Sequence, residues 1–381
     1  MKTNQKIIDV IIVGGGLAGL TNAIHLSKFG IGVLVIEKNS YPKHKVCGEY
    51  VSNEVLPYLN YLGLDPFIFG AKKIDTFLLS TPKNKMIKTE LPLGGFGISR
   101  FTLDYELYKL ALSNGVVILQ DSVINIQFSE DQFEITTKNE GVFKATIVIG
   151  AYGKRSAIDI KLDRNFIKND APFLAVKTHV TGVFPENVVA LHNFKGGYCG
   201  LSKVEDDSIN VCYITNFKSF KKYKNMEDFQ ENVLYQNPNL KEIFENSIDV
   251  FPKPLTISQI SFADKSPVEN HILMCGDTAG MIHPLCGNGM SMAIRSGQLA
   301  SQLIISYFNG KIKSRLELEA IYKKSWNSEF KFRLKVGRIV ASLFKKYNFS
   351  ELMMSALKSF PKLLPFIIKQ THGKPIKINE F

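Results

Sequence analysis

Three glycines near the N-terminus have the spacing of a turn that binds a nucleotide diphosphate. Gly14, Gly16 and Gly19 form a GxGxxG motif directly after the β-branched run at residues 7–13. They open a segment at residues 17–29 with the apolar spacing of a helix. Gly14 permits the tight turn, Gly16 lets a diphosphate approach the backbone, and Gly19 lets the helix pack closely on the strand. The N–H groups that begin the helix then face the phosphates.

Glu37 extends this motif to the ribose. It follows a second predicted strand at residues 32–36 and lies 18 residues after Gly19, where an acid accepts hydrogen bonds from ribose hydroxyls. Because an acid at this position disfavours a 2′-phosphate, the unit predicts NAD or FAD rather than NADP. The expected nucleotide contacts in this unit are Gly14, Gly15, Gly16, Leu17, Ala18, Gly19, Glu37 and Lys38.

A second glycine-rich turn lies far along the chain, in GDTAGMIHPLCGNGMSMA at residues 276–293. It follows a predicted strand at residues 271–275 and precedes a predicted helix at residues 288–308. Residues without bulky side chains let a planar ring lie against the backbone. The partial positive charge at the start of the helix would stabilise an anionic ring there.

This second turn resembles the second fingerprint of FAD-dependent oxidoreductases, GDxAGxxxPxxGxG. The resemblance implies FAD as the cofactor. It also implies that Asp277 accepts a hydrogen bond from the ribityl chain. The positions that match the fingerprint and its helix start are Asp277, Gly280, Pro284, Gly287, Asn288 and Gly289.

Two further segments, residues 45–64 and 97–123, resemble the geranylgeranyl-reductase-like and aromatic-hydroxylase-like flavoproteins, which include the group A flavoprotein monooxygenases. In that superfamily the Arg of the R-x-x-L-D segment lies near the flavin. Here the segment consists of Arg100, Leu103 and Asp104. The resemblance adds these expected FAD contacts: Lys45, Cys47, Gly48, Arg100 and Val123.

The chain also departs from patterns of these families. Where the hydroxylases carry Asp-Gly-x-x-Ser-x-x-Arg, Tyr152 and Asp159 replace the Asp and the Arg, so NAD(P)H and another electron donor both stay open as co-substrate. Of the reductases' Tyr-x-Trp-x-Phe-Pro segment only Tyr198 is kept, which makes Tyr198 the candidate substrate contact. The halogenases' Trp-x-Trp-x-Ile-Pro is absent and Trp326 is the one tryptophan, so halogenation is not expected.

Candidate catalytic residues are few because a flavin itself carries the redox chemistry. A thiol or an imidazole near the ring could protonate a substrate carbon or an oxygen atom. Cys47 and His283 are the main candidates, and Cys286 is a further one. All three lie in motifs that are expected near the ring. Packing roles for these side chains remain the alternative.

Composition limits the class of protein. The 381 residues are 45% hydrophobic and 22% charged, as in globular proteins of two to three domains. Five cysteines without a CxxC motif argue against a disulfide framework or a zinc cluster, which favours a reducing, cytoplasmic location. No window reaches the roughly 18 apolar residues of a membrane span. No nucleic-acid-binding module is recognisable, so no nucleic-acid partner is expected.

The net charge of +12 is concentrated near the C-terminus. Residues 331–381 contain eleven Lys or Arg against two Glu, a net of +9. Such a segment could contact an anionic membrane surface peripherally. The alternative is a solvated cationic face of a helical cap.

The pattern of elements predicts an α/β fold with a discontinuous FAD-binding domain. Alternating segments at residues 85–91, 173–181, 188–194 and 208–215 indicate antiparallel strands between the FAD motifs. We therefore expect a Rossmann-like FAD-binding domain with an inserted, mainly antiparallel β-sheet substrate domain and a C-terminal helical segment. The predicted parts are 1–70, 96–165 and 265–310 for FAD binding, 71–95 and 166–264 for substrate, and 311–381 for the helical segment.

These features together predict an FAD-dependent oxidoreductase of secondary metabolism. The resemblance implies a monooxygenase that hydroxylates an apolar or aromatic small molecule. A geranylgeranyl-reductase-type enzyme that reduces carbon–carbon double bonds of a lipid or polyketide is the alternative. A flavin-binding protein without turnover is the second alternative.

Overall fold

A computed structural model of the protein describes residues 7–345 and 347–378. Two β-sheets and a set of C-terminal helices form the described part. This mixed α/β architecture agrees with the coarse fold prediction.

The first sheet is built on parallel pairing of short, buried strands. Its strand order is β16-β17-β9-β1-β2-β6, and the pairs from β17 to β6 are all parallel. A hairpin of β7 and β8 continues antiparallel from β9. The strands are β1 Ile8–Val13, β2 Val33–Glu37, β6 Val117–Gln120, β7 Val123–Ser129, β8 Gln132–Thr137, β9 Val142–Gly150, β16 Val268–Glu269 and β17 Ile272–Met274.

The second sheet is mainly antiparallel and carries nine strands. Its main path is β14-β10-β13-β12-β11-β4-β5-β3, with β15 paired to β10. The strands are β3 Tyr50–Ser52, β4 Lys72–Ser80, β5 Met86–Gly97, β10 Phe173–Thr181, β11 Val188–Phe194, β12 Gly197–Lys203, β13 Ile209–Asn216, β14 Ile248–Asp249 and β15 Leu255–Ile260.

Helices cover the sheets and close the C-terminal end of the described chain. They are α1 Leu17–Ser27, α2 Leu56–Leu62, α3 Arg100–Ser113, α4 Ala157–Lys161, α5 Phe217–Phe220, α6 Met226–Val233, α7 Pro238–Glu245, α8 Gly289–Phe308, α9 Arg315–Lys345, α10 Tyr347–Ser359 and α11 Leu363–Thr371. Among the described residues, no helix combines the length and the apolar composition that crossing a bilayer requires.

Hydrophobic periodicity explains why these elements form. β1 and β2 are β-branched runs buried between layers, as parallel strands covered on both faces are. On β10 the side chains of Leu174, Val176 and Val180 pack into one core, whereas Phe173 and Ala175 pack into another. This alternation is expected because successive side chains of a β-strand point to opposite faces of the sheet.

Most predicted strands are confirmed, some with shifted ends. The strands predicted at residues 173–181 and 188–194 coincide with β10 and β11, and the strand predicted at residues 208–215 is β13 at Ile209–Asn216. The strand predicted at residues 85–91 is longer, Met86–Gly97, because its second half pairs with β3 and β4. β3 lies in the predicted FAD-binding segment 1–70 but pairs in the second sheet. The domain boundaries stay a prediction.

Candidate active site

A cavity lined by glycines and other small residues lies where the two predicted turns meet. We call it the glycine-lined cavity. It has an empty volume of about 1000 Å³, including space open to solvent. The start of α1, the loop before β3, the start of α3, the loop after β9 and the loop before α8 all contribute to its wall. The predicted residues in this wall are Gly16, Leu17, Ala18, Cys47, Gly48, Arg100, Asp277, Pro284, Gly287 and Gly289.

The first glycine turn has the geometry that its sequence requires. Gly14 has a φ of 107°, which an L side chain rarely adopts, and a Cβ on it would lie 2.4 Å from the Ala151 carbonyl oxygen. A Cβ on Gly19 would lie 2.0 Å from the Gly14 carbonyl oxygen. These glycines shape the turn from behind, while Gly16 faces the cavity.

Two cations lie close to Gly16, and one of them, Arg100, lines the cavity. A Cβ built on Gly16 would lie 3.5 Å from Arg100 Nη2 and 3.8 Å from Lys45 Nζ. Arg100 pairs with Asp104 through Nε at 2.6 Å and Nη2 at 2.7 Å, and Lys45 Nζ lies 2.8 Å from the same carboxylate. Burial alone raises the pKa of Asp104, but the charges of Arg100 and Lys45 hold that pKa below its ordinary value. Two cations against one carboxylate leave a positive surface that fits a diphosphate.

Glu37 closes the turn on its outer side. Its Oε2 accepts a hydrogen bond from the Gly15 N–H at 2.8 Å, and its Oε1 accepts one from the Asn39 backbone N–H at 3.0 Å. The Tyr41 hydroxyl donates to the Gly15 carbonyl oxygen. Glu37 is buried and Lys38 is exposed, and neither lines the glycine-lined cavity.

The second glycine turn is held by left-handed backbone and by a half-buried lysine. Gly276 and Gly287 have φ values of 60° and 63°. Lys265 Nζ donates to the Asp277 and Lys154 carbonyl oxygens, each at 2.7 Å. Burial lowers the pKa of Lys265 to about 8. These contacts fix the loop that carries Asp277 in the cavity wall.

Gly280, Asn288 and Val123, which were also predicted to contact FAD, lie outside this wall. A Cβ on Gly280 would lie 2.8 Å from the Trp326 ring, so Gly280 faces α9 instead. Asn288 is buried and its Nδ2 donates to Glu54 Oε1 at 3.0 Å. Val123 begins β7 and pairs with Thr137. Their roles in FAD binding stay predictions.

A second cavity adjoins the first. We call it the apolar cavity; its empty volume is also about 1000 Å³, including space open to solvent. Gly48, Tyr50, Pro284 and Gly287 line both cavities. The second sheet contributes one side, and α9, α10 and α11 contribute the other. Its aliphatic lining consists of Leu79, Leu91, Val189, Leu191, Leu285, Val340, Leu343, Met353, Leu357, Leu364, Ile367 and Ile368.

The candidate catalytic side chains are distributed unequally over these cavities. Cys47 lies in the wall of the glycine-lined cavity and Cys286 in the wall of the apolar cavity. His283 is buried, with its ring centroid 4.4 Å from that of Phe262 and 5.9 Å from that of Tyr198. Burial raises the pKa of Tyr198 well above its ordinary value. Neither His283 nor Tyr198 lines either cavity, and their roles stay predictions.

The sequence interpretation missed two parts of the site. The first is the aliphatic lining from α9, α10 and α11, whose apolar residues look like ordinary packing in the sequence. The second is Glu49, a buried wall residue of the glycine-lined cavity that pairs with Lys177 and His179. The sequence did offer one indication of this cluster, because Lys177 and His179 are polar residues two positions apart in the mainly apolar strand β10.

The described residues contain no group of three or more His, Cys, Asp or Glu side chains that could hold a metal ion. The site therefore consists, within residues 7–345 and 347–378, of glycine turns, paired cations and an apolar extension.

Comparisons with known proteins agree with this architecture. Residues 7–77 match a family described as FAD binding domain. Digeranylgeranylglycerophospholipid reductase 1 of Methanothermobacter thermautotrophicus is 24% identical over 395 residues, covering 94% of this chain and 96% of the relative.

Solved structures share the fold over nearly the whole chain. The flavin-dependent brominase Bmp2 aligns with a TM-score of 0.80 at 17% identity, over 96% of this chain and 93% of the brominase. A geranylgeranyl bacteriochlorophyll reductase-like protein from Thermoplasma acidophilum aligns with a TM-score of 0.72 at 19% identity, over 89% and 88% of the chains. The chain therefore carries an FAD binding domain at residues 7–77 and shares its fold with a flavin-dependent brominase and a geranylgeranyl bacteriochlorophyll reductase-like protein.

Proposed function

We propose that the protein reduces carbon–carbon double bonds of an apolar, chain-like substrate. The observation that carries this proposal is the contact between the two cavities. An aliphatic chamber shares Gly48, Tyr50, Pro284 and Gly287 with the chamber that fits FAD. A substrate in the apolar cavity would therefore lie beside the cofactor.

The residues of the glycine-lined cavity fit FAD. Gly16, Arg100 and Lys45 would hold the diphosphate, and Asp277, in the wall of the same cavity, would accept a hydrogen bond from the ribityl chain. The helix start at Gly289 would offer N–H groups and a partial positive charge to the bound ring. Bound FAD supplies the hydride chemistry. The chain's own residues bind and orient the cofactor and the substrate, and they exclude water from the site.

The lining of the apolar cavity supports a hydrocarbon substrate. Twelve aliphatic side chains bind methylene and methyl groups by burial, at about 25 cal/mol for each Å² of apolar surface removed from water. The lining offers few hydrogen-bonding groups, chiefly at Tyr50, Thr371 and His372. An aliphatic chain with one polar end matches this distribution better than a planar aromatic with several polar substituents. The reductase relative from Methanothermobacter is named for a lipid with such chains.

Reduction of an alkene needs one hydride and one proton. Cys47 and Cys275 both lie in the wall of the glycine-lined cavity, and Cys47 is the one next to Gly48, which lines both cavities. We propose the Cys47 thiol as the proton donor to the substrate carbon. Solvent or a neighbouring acid must then return the proton to the thiolate.

Hydroxylation of the same substrate is the second candidate. The fold is shared over nearly the whole chain with a flavin-dependent brominase, which favours an oxygen-using enzyme. The halogenase motif is absent and Trp326 packs on Gly280 rather than in either cavity. We therefore place hydroxylation after reduction and do not propose halogenation.

Local structure also supports a proposal for the electron donor. Asp159, where the hydroxylases carry Arg, caps α4 and pairs with the buried Arg164 at 2.9 Å. An acid held in a helix cap and an ion pair does not offer a nucleotide phosphate the cation that an Arg would offer. We propose a donor other than NADPH. Stopped-flow reduction of bound FAD by NADH and by NADPH tests this, and rapid reduction by NADPH contradicts it.

We further propose that the C-terminal helices contact an anionic membrane surface. α10 and α11 line the apolar cavity, and Phe360 between them and Leu363 and Phe366 on α11 are exposed. Lys358, Lys362 and Lys369 lie among these side chains and are exposed. An apolar face surrounded by cations is typical of helices that bind anionic bilayers.

One experiment separates the two chemistries. Purified FAD-loaded protein is incubated without oxygen, with dithionite and a digeranylgeranyl lipid in detergent, and the products are measured by mass spectrometry. We expect two added hydrogen atoms for each double bond reduced. Unchanged lipid here, together with substrate-dependent oxygen consumption and a hydroxylated product in air, would instead establish the monooxygenase. A protein that binds no FAD contradicts both proposals.

A further inference from the structure

Glu49 is a completely buried carboxylate in the wall of the glycine-lined cavity. Its Oε1 accepts hydrogen bonds from Lys177 Nζ at 2.5 Å and from the Arg100 N–H at 2.7 Å. Its Oε2 lies 2.7 Å from His179 Nε2. Lys177 is fully buried and His179 nearly so. We call Glu49, Lys177 and His179 the Glu49 cluster.

The Glu49 cluster connects a wall residue of the glycine-lined cavity to strand β10 of the second sheet, and its burial and backbone geometry are unfavourable. Lys177 and His179 are two residues apart on β10 and so point to one face of the strand, next to the apolar side chains of Phe173 and Ala175. Glu49 has a φ of 54°, which is unfavourable for a residue with a side chain. Buried ion pairs are often no more stabilising than apolar packing of similar volume. The arrangement therefore indicates a role besides holding the sheets together.

The hydrogen-bonding pattern defines where one more proton can go. Burial raises the pKa of Glu49, but hydrogen bonds and charge from His179 and Lys177 outweigh it and lower that pKa. An ionised carboxylate only accepts hydrogen bonds, so His179 Nε2 carries the proton that faces Glu49. His179 can then gain a proton on Nδ1 without losing this bond. The cluster changes from a net charge of zero to +1 when it does.

We propose that the Glu49 cluster takes up one proton, on His179, when FAD in the adjoining cavity is reduced. This inference rests on the proposed function. Reduction brings two electrons from the donor into the cavity, and the flavin accounts for one accompanying proton. The second proton enters the cluster and compensates the added negative charge. A nearby negative charge in a low-dielectric wall favours the charged form of a histidine.

Other charged and titratable groups around the cluster do not replace His179 in this role. Burial, with the charge of Lys177, lowers the pKa of His44 to about 4, so its imidazole stays neutral at pH 7. Arg100 is already charged and paired with Asp104. Neutral thiols release a proton and do not take one up. The groups around the cluster are His44 and Cys47 on the loop before β3, Arg100 on α3, Glu205 bonded to the start of α3, and Cys212 on β13.

The pH dependence of the FAD midpoint potential tests the proposal. Full-length, FAD-loaded protein is titrated with a reductant and a redox dye between about pH 6 and pH 8, where histidines titrate. The slope gives the protons taken up for every two electrons. We expect about two for the wild type and about one for His179→Gln, which keeps an N–H donor toward Glu49 but cannot gain a proton. His271→Gln, beside Glu319 at the edge of the first sheet, is the matched control and should match the wild type.

Each outcome decides between the alternatives. Equal slopes for the wild type and His179→Gln overturn the proposal and leave the cluster a structural tie. Should His179→Gln not fold, the wild type decides alone, because about one proton over the whole range also overturns it. The wild type and His179→Gln could show equal slopes while the protein still binds FAD and reduces its substrate. This result contradicts only the proposed role of the Glu49 cluster, not the proposed function. A wild type that binds no FAD contradicts the proposed function and this inference together.

Discussion

The Glu37 carboxylate accepts a hydrogen bond from the Gly15 N–H at 2.8 Å, and so joins the end of β2 to the first glycine turn. The sequence interpretation gave Glu37 a contact with the ribose. The structure adds a second task, because the same carboxylate fixes the first glycine turn.

Replacing Glu37 should therefore weaken FAD binding through both tasks. A charge-assisted hydrogen bond contributes about 1.5–3 kcal/mol, so we expect Glu37→Ala to raise the FAD dissociation constant by at least about tenfold. Quenching of FAD fluorescence measures the constant. Glu134→Ala, at an exposed position on β8, is the control and should bind as the wild type does. Unchanged affinity in Glu37→Ala contradicts both tasks.

Gly19 tests the close approach of α1 to the turn. A Cβ there would lie 2.0 Å from the Gly14 carbonyl oxygen, so Gly19→Ala must displace the helix and is expected to cost about 1–3 kcal/mol of stability and most of the FAD affinity. Gly115→Ala is the matched control. Its φ of 78° is also unfavourable for alanine, but no atom lies within 4 Å of the new Cβ. Urea unfolding with FAD titration checks both, and equal FAD affinity in the two variants would contradict the steric explanation.

The first nucleotide-binding unit was predictable because its signals are local. β1, α1 and β2 each follow from apolar periodicity over a few residues, and the glycines lie where the chain must turn. The strands β10 and β11 were predictable for the same reason. The end of β5 was not, because its second half is a strand only through pairing with β3 and β4.

Long-range packing explains the parts of the site that the sequence did not show. Gly280 matches the FAD fingerprint, but Trp326 on α9 packs on it. The apolar cavity needs α9, α10 and α11 to return over the second sheet, which no local pattern indicates. Glu49 and His179 are 130 residues apart in the chain, so their contact could not be inferred from spacing.

The apolar cavity predicts a separation of substrate binding from FAD binding. Leu191 on β11 lines the apolar cavity but not the glycine-lined cavity. Leu191→Trp fills part of the substrate space, and we expect it to lower kcat/KM for a long apolar alkene by at least about tenfold. The FAD dissociation constant should stay within about twofold of the wild type. Ile68→Trp, at an exposed position, controls for the added indole. Loss of FAD binding in Leu191→Trp would contradict the division into two cavities.

The exposed face of α10 and α11 predicts binding to anionic vesicles. Phe360, Leu363 and Phe366 are 66%, 40% and 59% exposed, and burying each such side chain contributes about 1.5–3 kcal/mol. Their triple replacement by Ser should lower co-sedimentation with phosphatidylglycerol vesicles by more than about tenfold. High salt should weaken the wild type as well, since it screens the lysines.

Val183→Ser is the control for this loss of apolar surface. Val183 is 95% exposed and follows β10, which is a strand of the second sheet. If the triple variant and the wild type bind vesicles equally, these three side chains do not contribute to membrane binding. If the wild type does not bind vesicles, the proposed membrane contact is wrong.

Two buried histidines predict a loss of stability in mild acid. Burial lowers the pKa of His25 and of His192 from 6.5 to about 4. His25 Nδ1 lies 2.8 Å from the Tyr58 hydroxyl, and His192 Nδ1 lies 2.7 Å from the Ser80 hydroxyl. A folded-state pKa below the unfolded value gives stability that is present above pH 6.5 and lost as the pH falls through about 4.

The size of this effect follows from the shift. A change from 6.5 to about 4 corresponds to on the order of 3 kcal/mol for each histidine below pH 4. The free energy of unfolding, measured in urea, should therefore fall steeply between pH 6.5 and pH 4. His192→Gln removes one titrating group, so its stability should fall less over that range even if it is lower at pH 7. Parallel curves for the wild type and His192→Gln would mean that His192 is not protonated on unfolding and that other groups cause the acid sensitivity.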